Sequence, residues 1–410
     1  MSEQILLDVT RSFFRRWRGL TPSGIDRVCD AYVAHFAHDA LAVVQVAGQP
    51  LVFDRQSSKK LFAAFDLMGS AFRRKALPIV LCLPHSLAGR EAISGGRYIN
   101  VGHSDFDRGR HWRWVERFGF ETTYFIHDLI PITHPQVTTG RKTRRHRARV
   151  ERVLAGAGNI LVNSHDTADA LRRFARSHDY DAPRLLVAPL SGSSLPLPLL
   201  TGTPGDRLFV SVGTIERRKN HLLLLNVWSR LVERLGGEAP RLIIAGSPGL
   251  GGRVVLDELA RRSQLEHVVE IRSGLDDGQI AQLISGARAV LLPTFAEGFG
   301  LPLIEALRLK VPVIASDLGS FREIGRGIPT LLNPYDVAGW ENAIIAMMRG
   351  DGDHQRQLDM IPQFHAPNWS DHFALVDAWL AGETGPETCA PRENGIYTSF
   401  PKRRRQGLEN

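Results

Sequence analysis

The sequence predicts an α/β protein made of two Rossmann-like parallel-sheet domains that face each other across a cleft. Short apolar runs alternate with helical patterns along the whole chain of 410 residues, as in βαβ units whose parallel sheet is covered on both faces. A segment rich in Ser, Pro, Leu and Gly from Leu190 to Asp206 interrupts this alternation and is typical of a linker. We therefore expect an N-terminal domain over residues 1–200, a C-terminal domain over 206–375, and a final segment over 376–410 that completes a helix and continues as a basic, disordered tail.

The first half contains seven short apolar runs, which indicate buried strands. They are Ile5–Val9, Leu41–Val46, Pro78–Leu83, Tyr98–Gly102, Thr123–His127, Ile160–Asn163 and Leu185–Ala188.

The second half alternates more regularly. The predicted strands are Leu208–Val212, Leu242–Ala245, Val268–Ile271, Ala289–Leu292, Val313–Ala315 and Thr330–Leu332. The predicted helices between them are His221–Leu235, Val254–Leu265, Asp277–Ser285 and Pro302–Leu309. In open parallel sheets ligands bind outside the carboxyl ends of the strands. We therefore expect the site in the loops that follow these strands.

The composition is that of a globular protein, with 43% hydrophobic and 23% charged residues. No apolar run is long enough to span a bilayer, and the first eight residues lack the basic and apolar regions of a secretory signal. Cys29, Cys82 and Cys389 lie far apart and in no metal-binding spacing. We expect a reduced, cytoplasmic setting.

Positive charge is clustered in a chain whose net charge is +8. The three clusters are Arg15–Arg18, the stretch from Arg141 to Arg152, and Lys402–Arg405. These clusters have three possible interpretations: they bind nucleic acid, they bind an anionic membrane surface, or they form a solvated face. The second cluster mixes Arg with Ala and Val at helical spacing, which favours a membrane surface and a peripheral position on it. No nucleic-acid motif supports the first interpretation.

Two carboxylates, Glu297 and Glu305, stand eight residues apart around the sequence Gly-Phe-Gly-Leu-Pro. Glu297 follows the predicted strand Ala289–Leu292, and Pro302 suits the first turn of the next helix. Eight residues are a little over two helical turns, so both carboxylates can face one ligand. The helix N-terminus favours an anion, and a sugar nucleotide fits such a site. The backbone groups that would face it are those of Gly298, Phe299 and Gly300. A surface turn without function is the alternative.

A basic loop follows the strand Leu208–Val212, at the same predicted edge as Glu297. It begins at Gly213 and Thr214 and carries three cations, Arg217, Arg218 and Lys219. Arg can bind a diphosphate with a bidentate fork and Lys can bind it as a point charge. A solvated basic turn is the other interpretation.

The N-terminal half offers weaker signals. His127 and Asp128 follow a predicted strand, where a histidine either contacts a sugar or is a buried structural group. Gly24 opens a predicted helix and would let a ligand approach the backbone. Asp105 and Asp107 allow a metal interpretation, but the arginines beside them argue against it, and we assign no metal ligand.

These residues resemble the retaining nucleotide-sugar glycosyltransferases of glycosyltransferase family 4, which have the GT-B fold. The resemblance covers residues 120–345 well and the first quarter loosely. Its most specific element is the E-x7-E motif at Glu297 and Glu305. The segments Gly213–His221 (GTIERRKNH), His127–Pro131 (HDLIP) and Gly24–Arg27 (GIDR) are similar to elements of bacterial mannosyltransferase-like members. Residues 311–334 resemble the segment after the motif helix.

The resemblance implies a role for each matched residue on the donor side. Glu297 would lie near the hydroxyls of the donor sugar and Glu305 would bind the ribose. Arg218 and Lys219 would neutralise the leaving diphosphate. The backbone donors would come from Gly298, Phe299, Gly300, Gly213 and Thr214.

On the other wall, His127 would touch the transferred sugar as a catalytic residue. Gly24, Arg27 and Asp128 would border the acceptor. Two departures concern the local loops: relatives often carry Arg where this chain has Thr214, and Gly where it has Lys310.

The resemblance also implies a metal-independent hexosyltransferase without a cofactor. GDP-mannose is the favoured donor, with UDP- and dTDP-hexoses next, and a lipid-linked oligosaccharide is the expected acceptor, for lipopolysaccharide, capsule or exopolysaccharide synthesis. The alternatives are a non-catalytic sugar-nucleotide-binding protein of a polysaccharide assembly complex and another GT-B enzyme, such as a sugar-nucleotide epimerase.

Overall fold

The computed structural model describes residues 4–20, 22–82, 87–181, 184–192, 195–196 and 207–383. The predicted basic tail beyond residue 383 and most of the predicted linker lie outside the described residues.

The N-terminal domain contains one seven-stranded sheet. Its strands are β1 Ile5–Asp8, β2 Leu41–Val46, β3 Gln49–Val52, β4 Arg97–Asn100, β5 Glu121–Ile126, β6 Asn159–Val162 and β7 Leu185–Val187. Their order is β3-β2-β1-β4-β5-β6-β7. All neighbours are parallel except β2 and β3.

Nine helices of this domain are described. They are α1 Thr10–Arg18, α2 Gly24–Phe36, α3 Arg55–Phe62, α4 Gly69–Leu81, α5 Arg90–Ile93, α6 Gly109–Phe118, α7 Ile130–Thr133, α8 Gly140–Gly156 and α9 His165–Ser177.

The C-terminal domain contains a six-stranded parallel sheet in the order β10-β9-β8-β11-β12-β13. Its strands are β8 Leu208–Val212, β9 Arg241–Ala245, β10 Val269–Arg272, β11 Ala289–Leu292, β12 Val313–Ser316 and β13 Thr330–Leu332. Its helices are α10 His221–Leu235, α11 Gly252–Arg261, α12 Asp277–Ser285, α13 Leu301–Arg308, α14 Gly319–Gly325, α15 Val337–Arg349, α16 Gly352–Met360 and α17 Trp369–Leu380. The predicted alternation of strand and helix in this half is confirmed.

Alternate residues of the strands enter different apolar layers, as the two-residue period of a strand requires. In β1, Leu6 and Leu7 belong to separate clusters, and in β8, Phe209 and Val210 do so as well. One cluster contains residues of both sheets and of the last helix, α17. The two domains are therefore joined through a continuous apolar layer.

Helix α17 connects the end of the described chain to the first domain. The His35 ring stacks on Phe373 at a centroid distance of 3.9 Å. Tyr32 and His372 are joined by a buried hydrogen bond of 3.0 Å between the phenol oxygen and Nε2. Both contacts reach helix α2, which begins at Gly24 beside the cleft.

The predicted strand Pro78–Leu83 is wrong, because residues 78–81 form the last turn of helix α4. Phe72, Ala76 and Ile79 are the buried residues of this helix, and their spacing of four and three is that of one helical face. The apolar run after Pro78 continues this face, and its exposed end at Leu81 carries no strand pairing.

A strand that the sequence did not indicate, β3, forms a hairpin with β2. Ala47 and Gly48 have φ of 52° and 79° and connect Val46 to its partner Gln49. A two-residue hairpin turn with two positive φ angles matches the twist of its strands. Only Gly48 has the residue type that signals such a turn, and Pro50 within β3 is tolerated because β3 is the edge strand.

No helix in the described ranges has both the length and the apolarity that a membrane crossing requires.

A buried carboxylate, Asp8, ends strand β1. Its oxygens accept hydrogen bonds from Gln45 Nε2 at 2.7 Å, the Tyr98 hydroxyl at 2.7 Å and the Thr10 amide at 3.1 Å. Burial nevertheless raises the pKa of Asp8 from 3.8 to about 6. The folded state therefore binds this proton more tightly than the unfolded state, and stability from this group is lost as the pH rises from about 4 through 6.

Asp8→Asn removes this titration. The free energy of unfolding of the variant, relative to the wild type, should rise by about 2.5 kcal/mol between pH 4 and pH 7, from a shift of about two pKa units. Urea unfolding at several pH values measures this difference, with the exposed Asp66→Asn as the control. A constant difference between Asp8→Asn and wild type across this range would contradict the assignment.

Candidate active site

The two predicted site loops of the C-terminal domain meet because their strands are neighbours. Strand β8 pairs with β11 in the sheet, so the loops that follow them emerge side by side. The first loop forms a 3-10 turn at Arg217–Lys219. The second loop carries Glu297 and is tied to the first by a hydrogen bond from the Phe295 amide to the Arg218 carbonyl at 2.8 Å.

Glu297 binds two cations with a single carboxylate oxygen. Its Oε2 lies 2.8 Å from Arg218 Nη1 and 2.7 Å from Lys219 Nζ. Arg218 Nη1 also donates to the Ala296 carbonyl at 2.8 Å, and its Nε donates to Glu216 at 3.0 Å. Both cations are thus held in fixed positions at the carboxyl edge of the sheet.

The electrostatics of this cluster keep it charged. Burial alone raises the pKa of Glu297, but Arg218 and Lys219 outweigh burial and bring it down to about 2. Burial lowers the pKa of Arg218, but Glu297 and Glu216 reverse this and raise it. Burial lowers the pKa of Lys219 overall, with Glu297 opposing the shift. A carboxylate that two cations occupy is suited to positioning rather than to nucleophilic attack.

Glu305 lies within helix α13, nearly buried. The helix begins after Gly300, whose φ is 110° and where a Cβ would lie 2.8 Å from Phe321, so only glycine fits this turn. Arg27 of the N-terminal domain reaches across to this carboxylate. Its Nη1 lies 3.6 Å from Glu305 Oε1, and its Nη2 donates to Asp277 at 2.6 Å. The resemblance predicts that Arg27 borders the acceptor and that Glu305 binds the ribose. In the structure the two side chains lie beside each other.

Gly298 and Gly24 lie where the two domains touch. A Cβ at Gly298 would lie 2.7 Å from the His127 carbonyl oxygen and 2.8 Å from Asp128 Cβ. The Gly298 carbonyl accepts a hydrogen bond from Ser164 Oγ at 3.0 Å. A Cβ at Gly24 would lie 3.4 Å from the side chain of Leu301, the first residue of α13. The loop of Glu297 is therefore closed against the other domain, and only a residue without a side chain fits at position 298.

The His127 ring is buried inside the N-terminal wall. Its Nε2 donates to the Val101 carbonyl at 2.8 Å, and the ring stacks on Phe125. Burial lowers the pKa of His127 to about 4, so the imidazole is neutral at pH 7. A second buried histidine, His103, lies beside it at a centroid distance of 5.0 Å. Asp128 accepts from the Ile130 amide at 2.9 Å and fixes the turn that follows.

Gly213 and Thr214 shape the loop between the first two strands of the C-terminal domain. Gly213 has φ of 133°, and a Cβ there would lie 3.4 Å from Lys219 Cε. Its carbonyl is packed against Gly246, where a Cβ would lie 2.0 Å from the oxygen. The Thr214 methyl group packs against Gly249. These close approaches place the stem of Lys219 beside the backbone of the loop.

Asp105 and Asp107 are engaged by arginines of helix α8. Arg145 Nη2 lies 3.0 Å from Asp105, and Arg145 Nε lies 2.9 Å from Asp107. Arg149 Nε lies 3.2 Å from Asp107. These ion pairs hold helix α8 against the segment of Asp105 and Asp107. They also neutralise part of the predicted basic cluster between Arg141 and Arg152.

Sequence reasoning missed the contacts that hold the two domains together. Glu323 of α14 accepts hydrogen bonds from the His165 amide at 3.0 Å and the Asp166 amide at 3.3 Å, at the N-terminus of α9. Thr167 Oγ1 of α9 donates to the Gly298 carbonyl at 3.3 Å. The only local signal was Ser164, a typical N-cap residue, whose side chain accepts from the Thr167 amide. The partners in the other domain are more than 130 residues away and leave no local pattern.

Glu323→Gln tests this contact between the domains. An anion at a helix N-terminus is stabilised by about 0.3–1 kcal/mol, and glutamine offers only one acceptor oxygen for the two amides. We expect hydrogen exchange at the His165 and Asp166 amides to become about two- to fivefold faster. The exposed Glu233→Gln is the control. Equal exchange rates in both variants would show that Glu323 does not hold α9.

Residues 201–360 match the family described as "Glycosyl transferases group 1". The matched segment includes the basic loop, Glu297 and Glu305. The part of the candidate site that the C-terminal domain supplies therefore lies in a segment similar to this family.

Two relatives and one structure show similarity over more of the chain. The D-inositol 3-phosphate glycosyltransferase of Nocardia farcinica is 25% identical over 317 residues, which are 72% of this chain and 69% of that protein. The serotype-specific mannosyltransferase WbdA of Escherichia coli is 27% identical over 219 residues, which are 50% of this chain but only 27% of WbdA. The crystal structure of Anabaena Alr3699/HepE in complex with UDP aligns with a TM-score of 0.62 at 15% identity, over 92% of this chain and 99% of that chain.

The structural likeness establishes the fold. The two domains have the two-sheet GT-B arrangement, and the fold prediction is confirmed.

Proposed function

We propose that this protein is a retaining, metal-independent glycosyltransferase of family 4. It would transfer a hexose, with mannose favoured, from a nucleoside-diphosphate sugar to an acceptor hydroxyl. The observation that carries the proposal is the pair of cations, Arg218 and Lys219, that Glu297 holds at the cleft. The group 1 match and the mannosyltransferase among the relatives support the reaction class and the sugar.

The chemistry of the donor accounts for the cations. Cleavage of the bond to the diphosphate leaves positive charge at the anomeric carbon and negative charge on the leaving oxygens. Cations that are already in place stabilise that negative charge without reorganising during the reaction. Arg218, fixed by three hydrogen bonds, and Lys219, beside the loop backbone, are placed for this role. Glu305 would bind the ribose hydroxyls after Arg27 gives way or shares the carboxylate.

The acceptor needs orientation and a group that takes its proton. Glu297 is anionic but occupied by two cations, and His127 is neutral with one nitrogen committed to the Val101 carbonyl. Neither is placed as a strong base. We therefore assign the proton to an oxygen of the departing diphosphate, on the face where the acceptor arrives, which retains the configuration at the anomeric carbon. His127 and the loop at Gly298 would border the transferred sugar.

The biological setting is part of the proposal. The relatives include a serotype-specific mannosyltransferase, and this similarity supports an acceptor in bacterial surface polysaccharide synthesis. A lipid-linked oligosaccharide at the inner face of the cytoplasmic membrane is the acceptor we favour, with the basic surface of helix α8 toward the lipid.

A thermal-shift screen of nucleotide sugars, with and without magnesium, tests the donor assignment. A ligand at 100 times its Kd stabilises the folded state by about 2.7 kcal/mol. We expect GDP-mannose to raise the Tm more than UDP- or dTDP-hexoses, and equally with and without magnesium. Lys219→Ala should lose most of the shift. No shift with any donor would contradict the proposal. A donor that binds but is neither transferred to an acceptor nor slowly hydrolysed would favour the non-catalytic alternative.

A further inference from the structure

A groove outside the cleft runs along the edge of the N-terminal sheet, where Leu87 and Ala88 pair with the end of the edge strand. It lies between edge strand β3 and helix α6 and has a volume of about 980 Å³, at the upper end of the range for small-molecule sites. We call it the arginine groove, defined by Leu51, Leu87, Ile93, Trp114 and Phe118 together with Arg110, Arg113 and Arg117. The candidate active site lies at the carboxyl ends of the central strands, so the two features are separate.

One half of the arginine groove is apolar. Its apolar lining includes Leu51 and Ile93 and the aromatic rings of Trp114 and Phe118. These rings are fixed from behind by Phe120, at centroid distances of 4.5 Å and 5.6 Å. Leu87 is 37% exposed at the margin. Rigid apolar walls of this kind are suited to a hydrocarbon chain, because its burial removes their surface from water.

The rim of the groove is positively charged. Arg110, Arg113 and Arg117 follow one face of α6 at helical spacing and are exposed. Within the described residues they form no ion pair, in contrast to Arg145 and Arg149 of α8. Glu116 is the one carboxylate that lines the groove, so three cations face a single anion.

Two further contacts add to the positive charge near the rim. Arg113 and Arg152 of helix α8 each place a guanidinium nitrogen 3.9 Å from the position that a Cβ at Gly109 would occupy, so two cations lie beside Gly109. The Arg117 guanidinium lies over the Phe118 ring at 5.8 Å, which brings a cation to the boundary of the apolar half. Unpaired arginines above an apolar wall are matched by a ligand with a phosphate at one end and a hydrocarbon chain at the other.

We propose that the arginine groove binds an anionic phospholipid, with an acyl chain along Leu51, Ile93 and Trp114 and the headgroup phosphate on Arg110, Arg113 and Arg117. A free phosphate would leave the apolar half uncovered, and a neutral lipid would leave the arginines unpaired. The proposal does not require sugar transfer, because the groove and the cleft share no residue.

Binding of the protein to lipid vesicles tests directly whether the arginine groove takes an anionic phospholipid. The full chain is mixed with phosphatidylcholine vesicles that contain or lack phosphatidylglycerol, and the bound fraction is measured by co-sedimentation. A basic residue near an anionic surface contributes about fivefold in affinity. We expect binding only with phosphatidylglycerol, and a loss of about a hundredfold in the triple variant R110A/R113A/R117A.

The matched control removes the same charge elsewhere. The triple variant R241A/R253A/R261A, on the surface of the C-terminal domain, should bind vesicles as the wild type does. Equal losses in both triple variants would reduce the effect to net charge and overturn the proposal. So would full binding by R110A/R113A/R117A, or equal binding to pure phosphatidylcholine.

Chain insertion is tested separately. Acyl chains brominated near the headgroup quench a tryptophan that contacts them, and Trp114→Phe should abolish most of the quenching while Trp369→Phe should not. Leu87→Asp, at an exposed position, should weaken binding to phosphatidylglycerol vesicles by several-fold without unfolding the protein. Unchanged quenching in Trp114→Phe, or displacement of the protein from vesicles by inorganic phosphate at constant ionic strength, would overturn the lipid assignment.

Discussion

Glu297→Gln is expected to lower kcat/KM for the sugar-nucleotide donor by about 100- to 1,000-fold, the size of one lost preorganised contact, about 2.7–4 kcal/mol. The neutral amide cannot hold Arg218 and Lys219 at 2.8 Å and 2.7 Å on one oxygen. Both cations would relax away from the position of the leaving diphosphate. The loss should appear mainly in kcat, because the contact matters most when negative charge develops.

Glu216→Gln is the matched control for this variant. Glu216 also binds Arg218, at 3.0 Å, but from the side away from Glu297. We expect it to change kcat/KM by less than about tenfold. Steady-state kinetics with purified variants, together with a melting curve that confirms folding, measure both. If Glu297→Gln kept nearly full kcat and kcat/KM, the role of Glu297 would be refuted.

Arg218→Ala is expected to reduce kcat by about a thousandfold. Arg218 combines hydrogen bonds to Glu297, the Ala296 carbonyl and Glu216, and alanine removes the cation and leaves Glu297 with Lys219 alone. Arg218→Lys should restore little of the activity, because lysine cannot reproduce a planar group with several donors. Donor binding by calorimetry should weaken less than kcat falls.

Arg217→Ala tests whether the activity depends on the specific position of Arg218 or only on the positive charge of the loop. Arg217 is exposed in the same 3-10 turn, and its side chain packs along Gly251 rather than on Glu297. Its removal should leave kcat within about threefold of wild type. A comparable loss in Arg217→Ala and Arg218→Ala would assign the effect to the charge of the loop, and would contradict a specific role for Arg218.

The C-terminal domain was the more predictable half because its strands and helices follow one another without irregular insertions. Adjacent parallel strands bring their following loops together, so the proximity of Arg218, Lys219 and Glu297 follows from the order of elements. The tight turn at Gly300 was also expected from its two glycines. The local pattern does not predict that Arg218 and Lys219 both bind one oxygen of Glu297, because this contact depends on side-chain geometry.

The N-terminal domain was less predictable because its local signals conflict. The run after Pro78 has the composition of a strand, but its residues continue the buried face of α4 that begins at Phe72. The hairpin at Ala47 and Gly48 carries only one turn residue, and its other positive φ belongs to an alanine. Tertiary packing decided both cases against the local pattern.

Contacts between the domains were the least predictable. Arg27 carries no signal that it would reach Glu305, and Glu323 carries none that it would cap α9. Such pairs are fixed by the angle between two rigid bodies rather than by neighbouring residues. They also explain why glycine stands at position 298, where the other domain leaves no room for a side chain.

A crystal structure of the protein with bound GDP would show whether Arg218 and Lys219 hold the diphosphate. We expect diphosphate oxygens within hydrogen-bond distance, about 2.7–3.2 Å, of Arg218 and Lys219, with the ribose hydroxyls on Glu305. We also expect the same pose when crystals are grown with magnesium. A nucleotide bound away from these three side chains, or a diphosphate joined by a metal ion to Asp105 and Asp107, would contradict this assignment.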